Sequence, residues 1–232
     1  ADEPDMATAK LVVRISDEQR DRLLARFDAD REARRLALVR YITERLKIDE
    51  RSSLGLGLLS LDRIHCFPRG RELLAYVDSP VRNHPGMTES ALHAVVMTVQ
   101  AVTPKPGDHV LICGAKGGYL AALVAWMVGE KGRVTCIDWQ AEVAKYARNS
   151  LERFREIAGR WKVELREDVT VGLAGDIPWN VTIVNGALPK IPYELLRQLN
   201  DENGRLLFYL AGGGDGDVCY VIRKNEEIVR EE

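Results

Sequence analysis

The sequence predicts an α/β fold built on a doubly wound, mostly parallel sheet, preceded by a helical extension. Three observations support this fold class. From about residue 90, apolar strand-like segments alternate with helical segments at the spacing of parallel strands joined by crossover helices. One of these strands, in VLICGAKGGYL (110–120), continues directly into a glycine-rich turn and a helix. The length of 232 residues with 46% hydrophobic content allows one full-sized domain and a modest appendage.

Residues 1–54 are predicted to form the mostly helical N-terminal extension. Within it, LVVRI (11–15) has the composition of a lone strand, and residues 15–46 carry leucines and charges at helical spacing. We therefore expect one or two amphipathic helices, beginning near Ser16. Balanced arginine and acidic residues suit a solvated helix face, and a docking surface for a protein partner is the alternative. Residues 47–60 are predicted to be a flexible connection.

Residues 55–232 are predicted to form the α/β domain, with a turn-rich cap over 55–89 and a core over 90–232. The core segments, in chain order, are the helix ALHAVVMTVQAV, the strand HVLICG, the helix YLAALVAWMVG, the strand RVTCID, the helix QAEVAKYARNSLERF, the strands WKVELRED and WNVTIVNG, the helix IPYELLRQL and the strand GRLLFYLAG. The tail after residue 216 alternates enough to add edge strands.

Charge and composition argue against several classes of function. A formal charge of −2 gives no global reason for binding nucleic acid or an anionic membrane. The absence of an 18-residue apolar run and of a signal-peptide pattern leads us to expect a cytoplasmic protein. The four cysteines show no metal-ligand spacing, so we expect no metal site.

The glycine-rich turn and the acids after the next strands predict a nucleoside-containing cofactor. Glycines let a backbone approach a ligand, and a helix start presents free N–H groups. Asp138 ends the strand RVTCID, 24 residues after Gly114, which is close to the spacing of an acid that binds ribose hydroxyls. Asp168 ends the next predicted strand, WKVELRED, where it is placed to contact an adenine amino group. For each acid, a plain strand-end cap is the alternative.

Four segments carry a resemblance to a known family. They are AYVDSP (75–80), GMTES (86–90), residues 104–129 around the glycine turn, and residues 178–212 from PWNVTIVNG to YLAG. From about residue 55 to 211, the chain resembles the protein-L-isoaspartate (D-aspartate) O-methyltransferases, which have a Rossmann-like methyltransferase fold.

The resemblance implies methyl transfer from S-adenosylmethionine to the carboxylate of an isoaspartyl residue in a damaged protein or peptide. It places the acceptor-orienting hydroxyl on Ser90, with Thr88 beside it; alternatively, these two residues are helix N-caps. An ionised carboxylate needs no general base, only alignment with the methyl group. The implied cofactor-binding residues are Gly114, Ala115, Gly117, Gly118, Tyr119, Asp138 and Asp168.

Three departures from the family pattern bear on the cofactor and acceptor sites. Ile112 stands where an acid would contact the cofactor's ammonium group, and Lys116 replaces the central glycine of the turn. Glu89 replaces an apolar residue between Thr88 and Ser90. These departures leave open a catalytically silent relative that serves as a binding or assembly subunit. Methylation of a transfer RNA adenine is a third interpretation. It is disfavoured because the sequence lacks a basic stripe and base-stacking aromatic residues.

Overall fold

The computed structural model describes residues 16–84, 87–176, 178–212 and 216–225. The strand predicted at LVVRI lies outside these residues. The helices of the described chain are α1 (Asp17–Arg45), α2 (Ser53–Ser60), α3 (Leu92–Val102), α4 (Tyr119–Val128), α5 (Ala141–Glu152) and α6 (Tyr193–Arg197). The strands are β1 (Val81–His84), β2 (Met87–Glu89), β3 (His109–Cys113), β4 (Arg133–Asp138), β5 (Trp161–Leu165), β6 (Val181–Leu188), β7 (Arg205–Leu210) and β8 (Val218–Arg223).

Six strands form the central sheet in the order β5-β4-β3-β6-β7-β8. All neighbouring pairs are parallel except β7 and β8, which are antiparallel. The predicted doubly wound, mostly parallel fold is therefore confirmed, and the tail supplies one edge strand among the described residues. The strand order reverses between β3 and β6, so a crevice is expected at their carboxyl ends.

Strand β3 is apolar throughout because both faces of the sheet are covered. Val110 and Ile112 belong to the larger hydrophobic cluster, which includes α3 and α4. Leu111 and Cys113 face a second cluster built around the fully buried Trp179. This two-sided burial explains why the strand reads as a continuous hydrophobic run rather than an alternating one.

The N-terminal extension contains a single long helix, α1, within the described residues. Ser16 caps it through a reciprocal pair of hydrogen bonds with Gln19, as the predicted helix start required. The C-terminal part of α1 buries Val39 and Ile42 in the larger cluster. Farther toward its N-terminus, Phe27 stacks on Tyr76 of the cap, with 5.7 Å between ring centroids.

The flexible connection predicted over residues 47–60 is wrong in its second half, because α2 begins at Ser53. Two glycines in SLGLGLLS suggested a loop, but they allow close packing instead. A Cβ atom on Gly57 would lie 2.8 Å from Cδ1 of Trp126 on α4. Helix α2 therefore packs directly against α4. It also crosses the predicted boundary between residues 54 and 55, so the division of the chain into an extension and an α/β domain stays a prediction.

A buried ion pair joins elements at the amino end of the sheet. Arg205, the first residue of β7, donates to Asp108 at 2.8 Å, and both side chains are almost completely buried. The same guanidinium donates to the carbonyls of Val102, the last residue of α3, and Thr103, which caps that helix. This cluster fixes α3 and the residues before β3 against β7.

None of the helices in the described part of the chain combines the length and apolar character needed to cross a membrane. Likewise, among the described residues, no three His, Cys, Asp or Glu side chains are grouped so as to hold a metal ion.

Candidate functional site

The glycine turn between β3 and α4 lies at the carboxyl edge of the sheet, beside the point where strand order reverses. Gly114 and Gly118 have φ values of +97° and +93°, which glycine adopts without steric cost. Lys116 has a φ of +45°. Lys116 therefore has a left-handed backbone conformation, which costs a residue with a Cβ atom about 1 kcal/mol.

Asp138 is placed at this turn as the sequence predicted, at the end of β4. Its carboxylate is buried, and its two oxygens accept the N–H groups of Ala115 and Gln140, each at 2.9 Å. A carboxylate has about four acceptor positions, so these bonds leave capacity for a ligand. The side chain therefore holds the turn in place and still presents acceptor capacity beside it.

Asp138→Asn is expected to lower the free energy of unfolding by about 1–2 kcal/mol, because an amide NH2 group will then face one of two N–H donors. Urea unfolding at pH 7 measures the change, with the exposed Asp201→Asn as the control. Equal stability of the two variants would contradict the role of Asp138 in holding the turn.

Two of the predicted cofactor residues are placed away from the turn's polar groups. The Tyr119 side chain is buried in the larger cluster, and its hydroxyl donates to the carbonyl of Leu61 at 3.2 Å. Asp168 is exposed and caps a short 3-10 turn by accepting the N–H and hydroxyl of Thr170. These hydrogen bonds lower the pKa of Asp168. The contacts match the capping alternative for Asp168, and the cofactor roles of both residues stay predictions.

Trp139 was not identified from the sequence as a site residue. It follows Asp138 directly, and 63% of its surface is exposed, which is unusual for a tryptophan. An exposed indole beside the predicted ribose-binding position offers a flat face for an adenine ring. Its position immediately after the strand-end acid was the available sequence signal.

The acceptor side of the site is formed by β2 and the start of α3. The hydroxyl of Ser90 lies 3.0 Å from Nζ of Lys116, which donates to it. Thr88 is exposed on β2. The alternative interpretation of these residues as N-caps is wrong, because Ala91 is the N-cap of α3 and no side chain caps that helix.

A cavity of about 260 Å³ opens beside this contact. It is lined by polar groups from distant segments, which include Ser90, Lys116, Asn185, Tyr209 and Asp217. Ala94 and Val95 of α3 add an apolar wall. The cavity lies next to the glycine turn at the carboxyl ends of β6 and β7, which suits a second substrate facing the cofactor position.

Glu89 is the least expected feature of the site. Its side chain is 3% exposed, and its Oε2 accepts the N–H of Gly117 at 2.8 Å. Burial raises the pKa of Glu89 above its ordinary 4.5, whereas the charges of Arg63 and Lys116 and the Gly117 hydrogen bond act in the opposite direction. Burial in turn lowers the pKa of Lys116. The Glu89 side chain therefore reaches from β2 to the turn, and the Lys116 side chain reaches from the turn to Ser90.

Glu89→Gln is expected to flatten the pH dependence of stability. Because the pKa of Glu89 is raised on folding, the folded state binds this proton more tightly than the unfolded state. The wild-type free energy of unfolding should therefore fall, relative to the variant, as pH rises from 4.5 through the folded pKa. Urea unfolding of both proteins between pH 4.5 and 7.5 measures this difference. A constant difference across that range would contradict it, and Glu202→Gln is the exposed control.

Arg63 supports the acceptor side from the cap. Its guanidinium is 2% exposed and donates to the carbonyl of Ser90 and, at 3.4 Å each, to those of Ala75 and Val77. It also lies over the ring of Phe67. Little in the sequence indicated this role beyond one arginine within a largely apolar segment.

The turn fits one half of S-adenosylmethionine and not the other. Asp138 and Trp139 suit an adenosine group, because they offer acceptor oxygens and a flat apolar face. At the other end, Glu89 already takes the Gly117 N–H, and Lys116 covers the Ser90 hydroxyl. Ile112 is buried in the core and offers no charge to an ammonium group. The amino-acid half of the cofactor therefore meets side chains that occupy its place.

Comparisons with known proteins identify relatives of this chain. The family model for protein-L-isoaspartate(D-aspartate) O-methyltransferase matches residues 31–231. The protein-L-isoaspartate O-methyltransferase of Methanopyrus kandleri is 36% identical over 171 residues, which cover 74% of each chain. The protein of the same name from Pyrobaculum islandicum is 36% identical over 157 residues, covering 67% of this chain and 73% of the relative.

Solved structures show the same fold. One, titled protein-L-isoaspartate O-methyltransferase, superposes with a TM-score of 0.71 at 21% identity and covers 82% of this chain, which spans 60% of that structure. A putative protein-L-isoaspartate O-methyltransferase from Plasmodium falciparum, in complex with S-adenosyl-L-homocysteine, has a TM-score of 0.68 at 18% identity and covers 82% of this chain and 89% of its own. Together with the matched segments and the turn geometry, these comparisons show that the chain belongs to the protein-L-isoaspartate(D-aspartate) O-methyltransferase family.

Proposed function

We propose that this protein transfers a methyl group from S-adenosylmethionine to the side-chain carboxylate of isoaspartyl residues in damaged proteins, in the cytoplasm. The observation that carries the proposal is the contact between the Ser90 hydroxyl and Lys116 of the glycine turn, which lies beside a cavity at the carboxyl edge of the sheet. Family membership supports the reaction, and the order of the elements supports the site.

Asp138 and Trp139 would hold the adenosine half of the cofactor. The carboxylate would accept hydrogen bonds from the ribose hydroxyls, while the indole stacks on the adenine. When bound, the cofactor supplies an electrophilic methyl group on a positively charged sulfur. The backbone of Gly114 allows close approach, because its carbonyl is held by Nδ2 of Asn185 at 3.3 Å and its φ is positive.

Ser90 would orient the acceptor carboxylate in the cavity. Its hydroxyl would donate one hydrogen bond to a carboxylate oxygen and so hold the acceptor in a fixed orientation in the cavity. Ala94 and Val95 exclude water from one side of the cavity. Thr88 lies on the exposed face of β2, where contact with the flanking peptide is its proposed role. No proton has to move, so the chain's contribution is orientation.

The proposal is tested in two steps. Calorimetric titration with S-adenosylhomocysteine measures whether the cofactor product binds. A methylation assay then compares an isoaspartyl peptide with the same peptide containing ordinary aspartate. We expect binding, methylation of the isoaspartyl peptide only, and a loss of rate of at least tenfold in Ser90→Ala. The absence of both binding and methylation in the folded protein would refute the proposal.

Trp139→Ala is expected to weaken S-adenosylhomocysteine binding roughly tenfold, as for the loss of one base-aromatic stacking contact. Its stability should change little, because the indole is exposed. Calorimetry measures the dissociation constant, and Tyr193→Ala, which removes another exposed aromatic ring, is the control. Unchanged affinity in Trp139→Ala would place the adenine elsewhere.

A further inference from the structure

We propose that Glu89 and Lys116 form an internal latch, which holds the β1–β2 hairpin over the glycine turn and must open before the amino-acid half of the cofactor enters. This inference rests on the proposed function, since it concerns access to the same site. The Glu89 and Lys116 side chains would compete with the cofactor and so regulate its binding.

Gly117 lies so close to β2 that a Cβ atom on it would stand 2.0 Å from Oε2 of Glu89. The space in front of the Gly117 N–H is therefore filled by the carboxylate of this chain. A ligand carboxylate reaches that N–H only when Glu89 leaves it.

The amino-acid half of S-adenosylmethionine carries one carboxylate and one ammonium group. Glu89 and Lys116 supply the same two charged groups, and they place them on the Gly117 N–H and the Ser90 hydroxyl. The latch thus satisfies polar groups at both the turn and the acceptor hydroxyl. Because both of its side chains are largely withdrawn from water, adding a second copy of either charge there is unfavourable.

Strand β2 pairs with β1 in a separate two-stranded sheet, outside the six-stranded one. Two-stranded hairpins are marginally stable by themselves, so this one depends on its side-chain contacts. Besides the latch, the contacts include the Asn83 amide, which donates to the Cys66 carbonyl at 3.2 Å. Because β2 pairs with no strand of the six-stranded sheet, a shift of β2 that withdraws Glu89 from Gly117 breaks no strand pairing of that sheet.

The test compares the dissociation constants of S-adenosylhomocysteine for wild type and Glu89→Val, measured by calorimetry on the full chain. Valine suits a strand and leaves no carboxylate to compete for the Gly117 N–H. We expect the variant to bind at least tenfold more tightly than wild type. Glu202→Val removes an exposed glutamate at the opposite edge of the sheet and should leave the affinity unchanged. Urea unfolding verifies that each variant is folded.

Two further variants keep the test decisive if Glu89→Val does not fold. Glu89→Gln preserves the shape of the side chain and removes its charge, so we expect about threefold tighter binding, in proportion to a weakened hydrogen bond. Lys116→Gly removes the ammonium and relieves the positive φ, and it should also tighten binding.

The outcomes separate the latch from the proposed function. If wild type binds and the folded variants bind no more tightly, the latch is refuted while the proposed function stands. If wild type and all folded variants fail to bind up to millimolar ligand, both are refuted. Tighter binding confined to the Glu89 and Lys116 variants supports both.

Discussion

Arg205→Met is expected to lower the free energy of unfolding by about 3–5 kcal/mol, because it leaves the buried Asp108 carboxylate without its partner. The guanidinium is also the donor to the carbonyls of Val102 and Thr103, so the end of α3 loses two hydrogen bonds at the same time. Urea unfolding at pH 7, monitored by tryptophan fluorescence, measures the loss.

The matched control is Arg197→Met, which removes an exposed arginine that pairs with Glu194 of its own helix. Exposed pairs of this kind contribute less than about 1 kcal/mol. A loss below 1 kcal/mol in Arg205→Met would show that water or a neighbouring cation compensates Asp108.

Arg63→Met is expected to lower the free energy of unfolding by about 3 kcal/mol, at the upper end for hydrogen bonds made by a charged group. The carbonyls of Ser90, Ala75 and Val77 lose their donor, and the buried Glu89 loses a favourable positive charge. Because Arg63 holds the backbone of Ser90, we also expect a fall in kcat for the isoaspartyl peptide.

The control for this prediction is Arg69→Met, an exposed arginine six residues farther along the cap. A second measurement combines Arg63→Met with Glu89→Gln. Since the neutral glutamine needs no nearby cation, the double variant should be more stable than the Arg63→Met single variant. An equally unstable double variant would show that the two groups do not interact.

The central sheet was predictable because its strands are buried on both faces and are separated by strong turn signals. RVTCID was predicted as a strand and forms β4 over the same residues, and Asp138 therefore lies where the spacing from Gly114 placed it. In each case the information is local: an apolar run sets the strand, and the strand's end sets the position of the acid.

The contacts that distinguish this site were not predictable, because they depend on approach between distant segments. Glu89 and Gly117 are 28 residues apart, and nothing in either segment indicates that the carboxylate faces the turn. Helix α2 was missed for a similar reason, since the close approach of Trp126 to Gly57 is visible only after folding. Glycine propensity alone suggested a loop there.

The antiparallel edge strand has a consequence for the order in which the site is completed. Because β8 runs back along β7, the connection between them returns at the same edge of the sheet as the glycine turn, and Asp217 lines the cavity there. During synthesis, the bond between Asp138 and Ala115 is available as soon as β4 has emerged. The cavity wall, by contrast, awaits residue 217, so a nascent chain can assemble its ribose-binding corner well before it can enclose a peptide carboxylate.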